Sequence, residues 1–477
     1  VKIDEVLLLN PMDGSSSDTL AFIDECVVSV DIKKILFENH VVINECRLNG
    51  GYINLFTNAQ GASNLDIFPP STEPETEPET QEESGFAYDI DLSSLALNNV
   101  TVDYIDMTQG MTANLNGLTL SAKGNMRNES IVANVEMLVN DINYEQATDS
   151  VAMDVNLNNL KVAGIANMEG DNIVADLDVA TSALSYESGD MSAQLKAVNF
   201  KYDGVVNNYD VVKGNAEVSL DDIVFIMAEE TYVNNADVRV IMPLDATLST
   251  MDIKLGASQL ALNNIFLNLI GEVAMPENND IVVKLDLNTN TLIVEELIEL
   301  IPASMRDELL AGIDVKGELK LDAKVNGVYN ESSMPTVNAN VTYNKGYVAM
   351  TEMLPYPVSN INTSLKVDLD LNKKSDVYLN YLNANMSKSS LSLSGSVKDV
   401  MNKMYCNLNL KAKASLDELK DFIPEDIVAE GVVNVNATAA VNMEQITSMD
   451  LMKSKIKGDI HWDNMNVVYC DTINIKA

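Results

Sequence analysis

The sequence has few of the residues on which most enzymes depend. Its 477 residues include two histidines, His40 and His461, one tryptophan and nine phenylalanines. Neither histidine has a plausible serine or cysteine partner near it in the sequence, so a nucleophile–base pair is not indicated. No glycine-rich phosphate loop or EF-hand spacing occurs. A glycosidase-type pair among the 71 acidic residues stays open, although the aromatic residues and irregular loops of such pockets are scarce. We therefore expect no enzyme, no catalytic residue, no metal site and no cofactor.

Basic residues and long apolar runs are scarce as well. There are 31 Lys and Arg against 71 Asp and Glu, a net charge of −40. This balance excludes nucleic acid as a partner and disfavours flat docking on an anionic membrane. No run of about 20 apolar residues is present, so no segment is expected to span a bilayer. Because the chain opens on Val1 without a signal peptide and stops in mid-pattern, we interpret it as the soluble part of a longer protein.

The four cysteines do not form a metal-binding pattern. They are Cys26, Cys46, Cys406 and Cys470, with no C-x-x-C pair. Cys26 and Cys46 lie on neighbouring predicted strands, which leaves a disulfide or two small buried side chains as alternatives. The second is favoured because free cysteine is so often buried.

Alternation of apolar and polar residues dominates the rest of the chain. Three stretches are copies of one another, with tyrosines at Tyr104, Tyr144 and Tyr186 and a weaker fourth copy near Phe225. A period of two is typical of half-buried strands, and such strands must share one apolar face. The sequence predicts a mainly β fold: an elongated, curled, repetitive antiparallel β-sheet, groove-like, with two short helical insertions.

The two helical insertions share one pattern at an offset of 122 residues. Glu296-Leu297 with Ile301-Pro302 matches Glu418-Leu419 with Ile423-Pro424, and each is followed by glycine and an alternating strand. Near the N-terminus, Asp31–Phe37 is compatible with a helical turn or with a continued strand. Asparagine pairs such as Asn98-Asn99 and Asn207-Asn208 are expected to bound strands.

These changes of pattern divide the chain into five segments. We predict an N-terminal β unit at 1–70, a mobile acidic Pro/Glu linker at 71–85, and a repeated β region at 86–285. A first helix-plus-strand repeat follows at 286–405, and a second, truncated one at 406–477.

The order of three motifs resembles the AsmA-like family, relatives of the TamB proteins of Gram-negative envelopes. They are Asp31–Phe37 leading into Gly61-x-x-Asn64, the Leu297–Pro302 helix with its following strand, and Pro357–Asn362 followed by Leu391–Val397. The resemblance implies a periplasmic protein, anchored to the inner membrane by an N-terminal helix absent from this chain. It also implies a bridge-like role in phospholipid transport and outer-membrane biogenesis, and it supplies no catalytic motif.

The residues favour the same function independently. Side chains of one strand parity would form an apolar groove, and each methylene of an acyl chain gains about 0.8 kcal/mol on leaving water. The predicted groove residues are Leu285, Leu287, Leu319, Leu321, Val325, Val367, Leu369 and Leu371. The expected partner is a phospholipid or other acyl lipid bound by a monomer, with envelope proteins as further candidates. The alternatives are a scaffold that assists outer-membrane protein assembly by β-edge pairing, and an adhesion module.

Overall fold

The computed structural model describes residues 1–12, 14–15, 17–38, 40–66, 89–127, 130–148, 152–276, 280–424, 427–447, 454–469 and 473–476. The predicted linker at 71–85 and Cys470 lie outside these residues. The described chain is mainly β, which confirms the predicted fold class. It divides into two compact units, Val1–Ser249 and Thr250–Ala477. No helix among the described residues is long and apolar enough to cross a bilayer.

The first unit is a sheet built from thirteen described strands and one helix. The strands are β1 (Lys2–Leu9), β2 (Thr19–Val30), β3 (His40–Thr57), β4 (Asp89–Asp106), β5 (Met111–Arg127), β6 (Ser130–Ala147), β7 (Ala152–Glu169), β8 (Asn172–Thr181), β9 (Ala183–Ser188), β10 (Met191–Leu195), β11 (Ala197–Asn207), β12 (Val211–Met227) and β13 (Glu230–Thr247). Helix α1 (Ile32–Glu38) follows β2, so the segment with two alternatives is helical.

Neighbouring strands of this unit pair in chain order and antiparallel, with one exception. Strand β3 pairs with β4 in parallel, from His40 opposite Asp89 to Thr57 opposite Asp106. Strands β8 and β9 follow one another end to end, and both pair with β7; likewise β10 and β11 lie end to end, and both pair with β12. We call each long strand, or each such pair of shorter strands, a line of the sheet. Each long line is therefore one arm of a hairpin, and successive hairpins extend the sheet sideways.

A row of residue pairs, most of them polar, crosses the middle of these lines, and we call these pairs doublets. In each line, two consecutive residues leave the apolar face, so the apolar positions step by three instead of two. The doublets are Asn98-Asn99, Asn116-Gly117, Asn140-Asp141, Asn158-Asn159, Ser182-Ala183, Lys196-Ala197, Asp221-Asp222 and Asn234-Asn235. Asn98-Asn99 thus lies inside β4, and the prediction that it bounds a strand was wrong. Asn207-Asn208 does end β11.

Left-handed backbone and side-chain hydrogen bonds hold this doublet row. Asn99, Gly117, Asn159, Asp222 and Asn235 have φ between 52° and 66°. Asparagine, aspartate and glycine tolerate this region best, and a residue in it bends an extended strand. The Nδ2 atom of Asn159 donates to Ser182 Oγ at 2.9 Å, and Lys196 Nζ lies 2.9 Å from Asp222 Oδ2. From β5 to β12 the bends lie at matching positions of paired strands, whereas those of β4 and β13 are displaced along the strand.

The second unit is again a sheet of hairpins, with helical segments at three of its described connections. Its strands are β14 (Asp252–Leu262), β15 (Ile265–Ala274), β16 (Ile281–Thr289), β17 (Leu292–Ile293), β18 (Ile313–Tyr329), β19 (Thr336–Met350), β20 (Val358–Leu369), β21 (Asp376–Met386), β22 (Ser389–Lys398), β23 (Tyr405–Ser415), β24 (Ile427–Asn442), β25 (Lys455–Tyr469) and β26 (Ile473–Lys476). All described pairs in it are antiparallel.

The two predicted helical insertions are present, but they differ in kind. The first consists of α2 (Val294–Glu299) and α3 (Ala303–Leu309), separated at Pro302. The second consists of two 3₁₀ turns, Leu416–Glu418 and Lys420–Phe422. A third helix, α4 (Met443–Thr447), follows β24. Each insertion connects the end of one strand to the start of its neighbour.

Each insertion is fixed to the hairpin turn beside it by the matching glutamate. Glu418 is buried and accepts hydrogen bonds from Lys388 N at 2.7 Å and from the N and Oγ of Ser389 at 3.1 and 2.7 Å. Burial raises the pKa of this carboxyl, but the Ser389 hydroxyl and the backbone N–H donors outweigh burial, so the pKa is lowered overall. In the first insertion, Glu296 accepts from Asn264 in the β14–β15 turn at 3.4 Å.

Candidate functional site

The second unit carries an apolar face on one side of its sheet. Cross-strand partners are apolar to apolar in row after row, for example Leu285 opposite Val325 and Leu393 opposite Leu410. Besides the predicted residues, the rows contain Val273, Leu269, Val283, Val337, Val341, Leu365, Val377, Leu379, Leu382, Leu391, Val397, Leu408, Val435 and Ile460. We call these residues, with the predicted ones in strands, the apolar face of the second unit.

Seven of the eight predicted groove residues lie together on this face. Leu285 and Leu287 are in β16, Leu319, Leu321 and Val325 are in β18, and Val367 and Leu369 are in β20. Strand β19 joins the last two groups, because Val337 lies opposite both Val325 and Leu369. Leu371 is the exception. It lies in the turn after β20, where pairing has ended, and it is 43% exposed.

The opposite face of the same strands is polar. Its rows pair Lys324 with Asp286, Asn338 with Asp368, and Ser392 with Lys411. The Lys324 Nζ to Asp286 Oδ2 distance is 2.8 Å. Alternation therefore separates water-facing and apolar side chains cleanly, as expected of a sheet with one solvated face.

The first unit carries an apolar face of its own, which the predicted groove residues did not include. Its rows include Leu120 opposite Met137, Met137 opposite Val162, and Val179 opposite Phe200. The repeat aromatic residues occupy one level of this face: Tyr104 and Tyr144 both lie opposite Ala113, and Tyr186 and Phe225 both lie opposite Ala193. The sequence copies are therefore successive hairpins in register. A search for strict alternation misses this face, because at each doublet the apolar positions shift from odd to even residue numbers or the reverse.

Side chains on the apolar face are most deeply buried beside the doublet row. Val100 and Val139, on the apolar side of the row, have relative exposures of 0% and 1%. By contrast, Ile165 and Val174 lie on the polar face of neighbouring strands and are 46% and 51% exposed. A side chain in a single sheet is shielded fully only when its neighbours on the same face close over it. The side chains of the apolar face are therefore shielded most completely beside the doublet row.

The tyrosine side chains on these faces are also partly shielded from water. Tyr104 and Tyr202 lie on the apolar face of the first unit, and Tyr343 on that of the second. Burial raises the pKa of each of these phenols above its ordinary value. The Tyr343 hydroxyl donates to Lys316 O at 2.6 Å. These three phenols are thus partly shielded from water, like most side chains of each apolar face.

Among the described residues, no helix or strand is in close backbone contact with either apolar face. The substantial contacts among described helices and strands join sheet neighbours, or join a helix to an adjacent strand. The chain exposes 29898 Å². If each of the two units were a compact globular domain of half the chain's 52.1 kDa, the two would together expose about 21,000 Å². Most side chains of the two apolar faces have intermediate exposure, so part of each face stays accessible to a ligand.

Comparison with protein-family models, with curated proteins and with solved structures gives no significant match for this chain. The resemblance to AsmA-like proteins thus stays a prediction from the motifs. Its opening segment corresponds to α1, and Gly61-x-x-Asn64 to a turn in which the Asn64 side chain accepts from Phe56 N at 2.9 Å.

The histidines and the acidic residues do not form an evident catalytic or metal-binding site among the described residues. His40 Nε2 lies 2.8 Å from Asp91 Oδ2, and His461 Nε2 lies 3.1 Å from Asp463 Oδ1. Within the described ranges, no three His, Cys, Asp or Glu side chains are grouped as a metal site would require. A recess of about 570 Å³ on the polar face of the first unit includes Glu136, Asp178 and Lys201, but the Lys201–Asp178 ion pair at 3.0 Å satisfies two of its charges.

The cysteines of the first unit are free thiols. Cys26 lies opposite Leu48 and Cys46 opposite Val28, so the two are diagonal rather than direct partners. Diagonal neighbours are about 7–8 Å apart, beyond ordinary disulfide geometry. Of the two alternatives, the structure therefore has the small, partly buried side chains.

Proposed function

We propose that this chain binds phospholipid or other acyl chains along its apolar sheet faces and conducts them between membranes. The observation that supports the proposal is the continuous, partly accessible apolar face in each unit. An acyl tail of fifteen methylenes gains about 0.8 kcal/mol for each methylene removed from water, so contact with half of them gives about 6 kcal/mol. That corresponds to binding in the range of tens of micromolar without any polar contact.

The chemistry of these faces suits movement as well as binding. Their lining is mainly aliphatic, with leucine, valine, alanine and methionine beside the tyrosines and phenylalanines described above, and contains few hydrogen-bonding groups. Burial of apolar surface has no preferred direction, so a tail can slide from row to row without breaking a specific contact. Methionine side chains such as Met137 and Met168 adapt to irregular partners. The polar faces meanwhile keep the sheet hydrated.

The cellular setting of this proposal rests on the motifs alone. We propose a periplasmic location, anchorage to the inner membrane through a segment outside this chain, and a contribution to outer-membrane lipid homeostasis.

Lipid extraction tests the proposal directly. We expect protein purified without detergent to carry acyl lipid that mass spectrometry detects after organic extraction. A photoreactive amino acid at Val162, on the apolar face, should crosslink to lipid. The same amino acid at Ala163, its neighbour on the polar face, should not. Protein free of acyl chains, or equal crosslinking at both positions, would contradict the proposal.

A second candidate function is supported by strand β1. This strand pairs with β2, and no second neighbour is described for it. Leu7, Leu8 and Leu9 are 54%, 48% and 70% exposed. An open edge with apolar side chains can accept a partner strand, as an assembly scaffold would require. Photocrosslinking from Leu8 in cells would show envelope proteins if this function is correct, and lipid or nothing if it is not.

A further inference from the structure

Two adjacent turns of the second unit combine exposed apolar side chains with lysines. They are the β20–β21 turn, residues 370–375, and the β22–β23 turn with its flanks, residues 398–405. Leu371, Met401 and Tyr405 in these turns are 43%, 61% and 45% exposed. Turn residues are normally small and polar, so apolar side chains at both tips need an explanation. We call these two segments the turn patch.

The patch is held in place by hydrogen bonds within and between its turns. Val400 N donates to Ser375 O at 2.8 Å, which joins the two turns. Ser375 is buried, and its Oγ accepts from Asp370 N at 3.1 Å. Asp399 is also buried and accepts from Asn402 Nδ2 at 2.9 Å. The exposed side chains therefore stand on a fixed backbone.

The charge of the patch is opposite to that of the whole chain. It contains Lys373, Lys374, Lys398 and Lys403 against Asp370 and Asp399, a net charge of 4 − 2 = +2 in a protein of −40. All four lysines are exposed, and the Lys373 side chain is 82% exposed. At physiological salt, charges beyond about 8 Å are largely screened. Lys373 lies 4.0 Å from Asp370, and Asp376 borders the patch, so a surface that touches the patch meets a modest excess of lysine.

We propose that the turn patch docks on the headgroup region of an anionic lipid bilayer. Leucine and methionine side chains can enter the boundary between headgroups and acyl chains, tyrosine is favoured at that depth, and lysines pair with anionic headgroups. The proposal deepens the lipid-binding function and rests on it, because the docked turns end strands β20–β23, whose apolar residues belong to the face of the second unit. Flat docking of the whole acidic protein stays disfavoured. Docking through the turn patch brings only these two turns to the membrane, so the acidic remainder of the protein need not touch it.

Vesicle cosedimentation of the full chain tests this inference. Wild-type protein should bind vesicles rich in phosphatidylglycerol better than vesicles of phosphatidylcholine, and added salt should weaken the binding. Each lysine near a membrane contributes about 1 kcal/mol, so the triple change Lys373→Gln, Lys374→Gln and Lys403→Gln should weaken binding roughly 100-fold.

The matched control makes the same charge change elsewhere in the unit. Lys411→Gln, Lys413→Gln and Lys457→Gln remove three lysines from the polar face of β23 and β25, and this variant should bind vesicles like wild type. A second variant, Leu371→Ser with Met401→Ser, should bind more weakly with all lysines intact. Equal losses in patch and control variants would overturn the proposal. So would unchanged binding of the patch variant.

Lipid content separates this inference from the proposed function. The patch variant should still contain acyl lipid when it is loaded from detergent micelles, because its apolar faces are unchanged. Wild-type protein that binds vesicles but never carries acyl chains would refute lipid binding along the sheet while leaving the docking intact.

Discussion

A single carboxylate placed on the apolar face should block lipid locally. Leu393 in β22 lies between Leu382 and Leu410, and Ser392 beside it lies on the polar face opposite Lys411. Leu393→Asp and Ser392→Asp therefore introduce the same charge at neighbouring positions on opposite faces. Only the first should affect an acyl chain bound along the rows.

The magnitude follows from the spacing of the strands. Strands are about 4.8 Å apart, and one acyl tail spans about 15 Å, half the hydrocarbon thickness of a bilayer. A hydrated carboxylate on one strand thus denies a tail about a third of its contact, which is about 2.5 of the seven or eight methylenes that touch the face. At about 0.8 kcal/mol each, the loss is about 2 kcal/mol, which corresponds to roughly 30-fold.

Crosslinking at the adjacent strand measures this effect. With a photoreactive amino acid at Leu410, the yield of crosslinked lipid should fall roughly 30-fold in Leu393→Asp and stay unchanged in Ser392→Asp. Circular dichroism and urea unfolding of both variants establish that the sheet is intact. Similar yields in the two variants, with both folded, would refute the assignment of the apolar face as the lipid site.

Three further expectations concern the sheet itself. Val139→Ala, at a fully buried position of the doublet row, should lower the free energy of unfolding by about 2 kcal/mol in urea titrations, whereas Val174→Ala, on the exposed polar face, should cost less than about 0.5 kcal/mol. Gly117→Ala should destabilise the first unit by more than about 1 kcal/mol, because Gly117 has φ +66° and an added Cβ would collide with Asn140; a fully stable variant would contradict the doublet-row geometry. Glu418 has a lowered pKa in the folded state, so its contribution is present above the usual glutamate range and is lost as the pH falls through the folded pKa. Glu418→Gln should show a shallower loss of urea resistance between neutral and acidic pH, and parallel curves for the two proteins would argue against this role.

The alternating residues were enough to predict strands and to assign their faces. Leu285, Leu321 and Val367 share a face because a period of two places every second side chain on the same side. Leu371 keeps the parity of Leu369 but follows the last paired residue, and strand ends depend on cross-strand partners that a sequence does not reveal.

The doublets were harder to interpret. Asn98-Asn99 has the composition of a turn, yet β4 continues through it for several more residues. Local propensity favours a chain reversal at such a pair, and the ladder on both sides overrides that preference. The matching doublets at Asn116-Gly117 and Asn158-Asn159 occur at a regular spacing, which is the signal that could have identified a shared bend. The 3₁₀ form of the second insertion also depends on tertiary context, since Glu418 bonds to a hairpin turn about thirty residues earlier.

The order of pairing has a consequence for how the chain reaches its native state. Almost every strand bonds to the strand that precedes it, so the closing loops are short and little entropy is lost at each step. The chain can therefore fold hairpin by hairpin as it emerges from a ribosome or a translocation pore, each new pair using the previous one as a template. The parallel pair β3–β4 is the exception, since the chain must cross back before β4 can join. We expect that junction to be the slowest step of folding and the place where an unfinished edge is exposed longest.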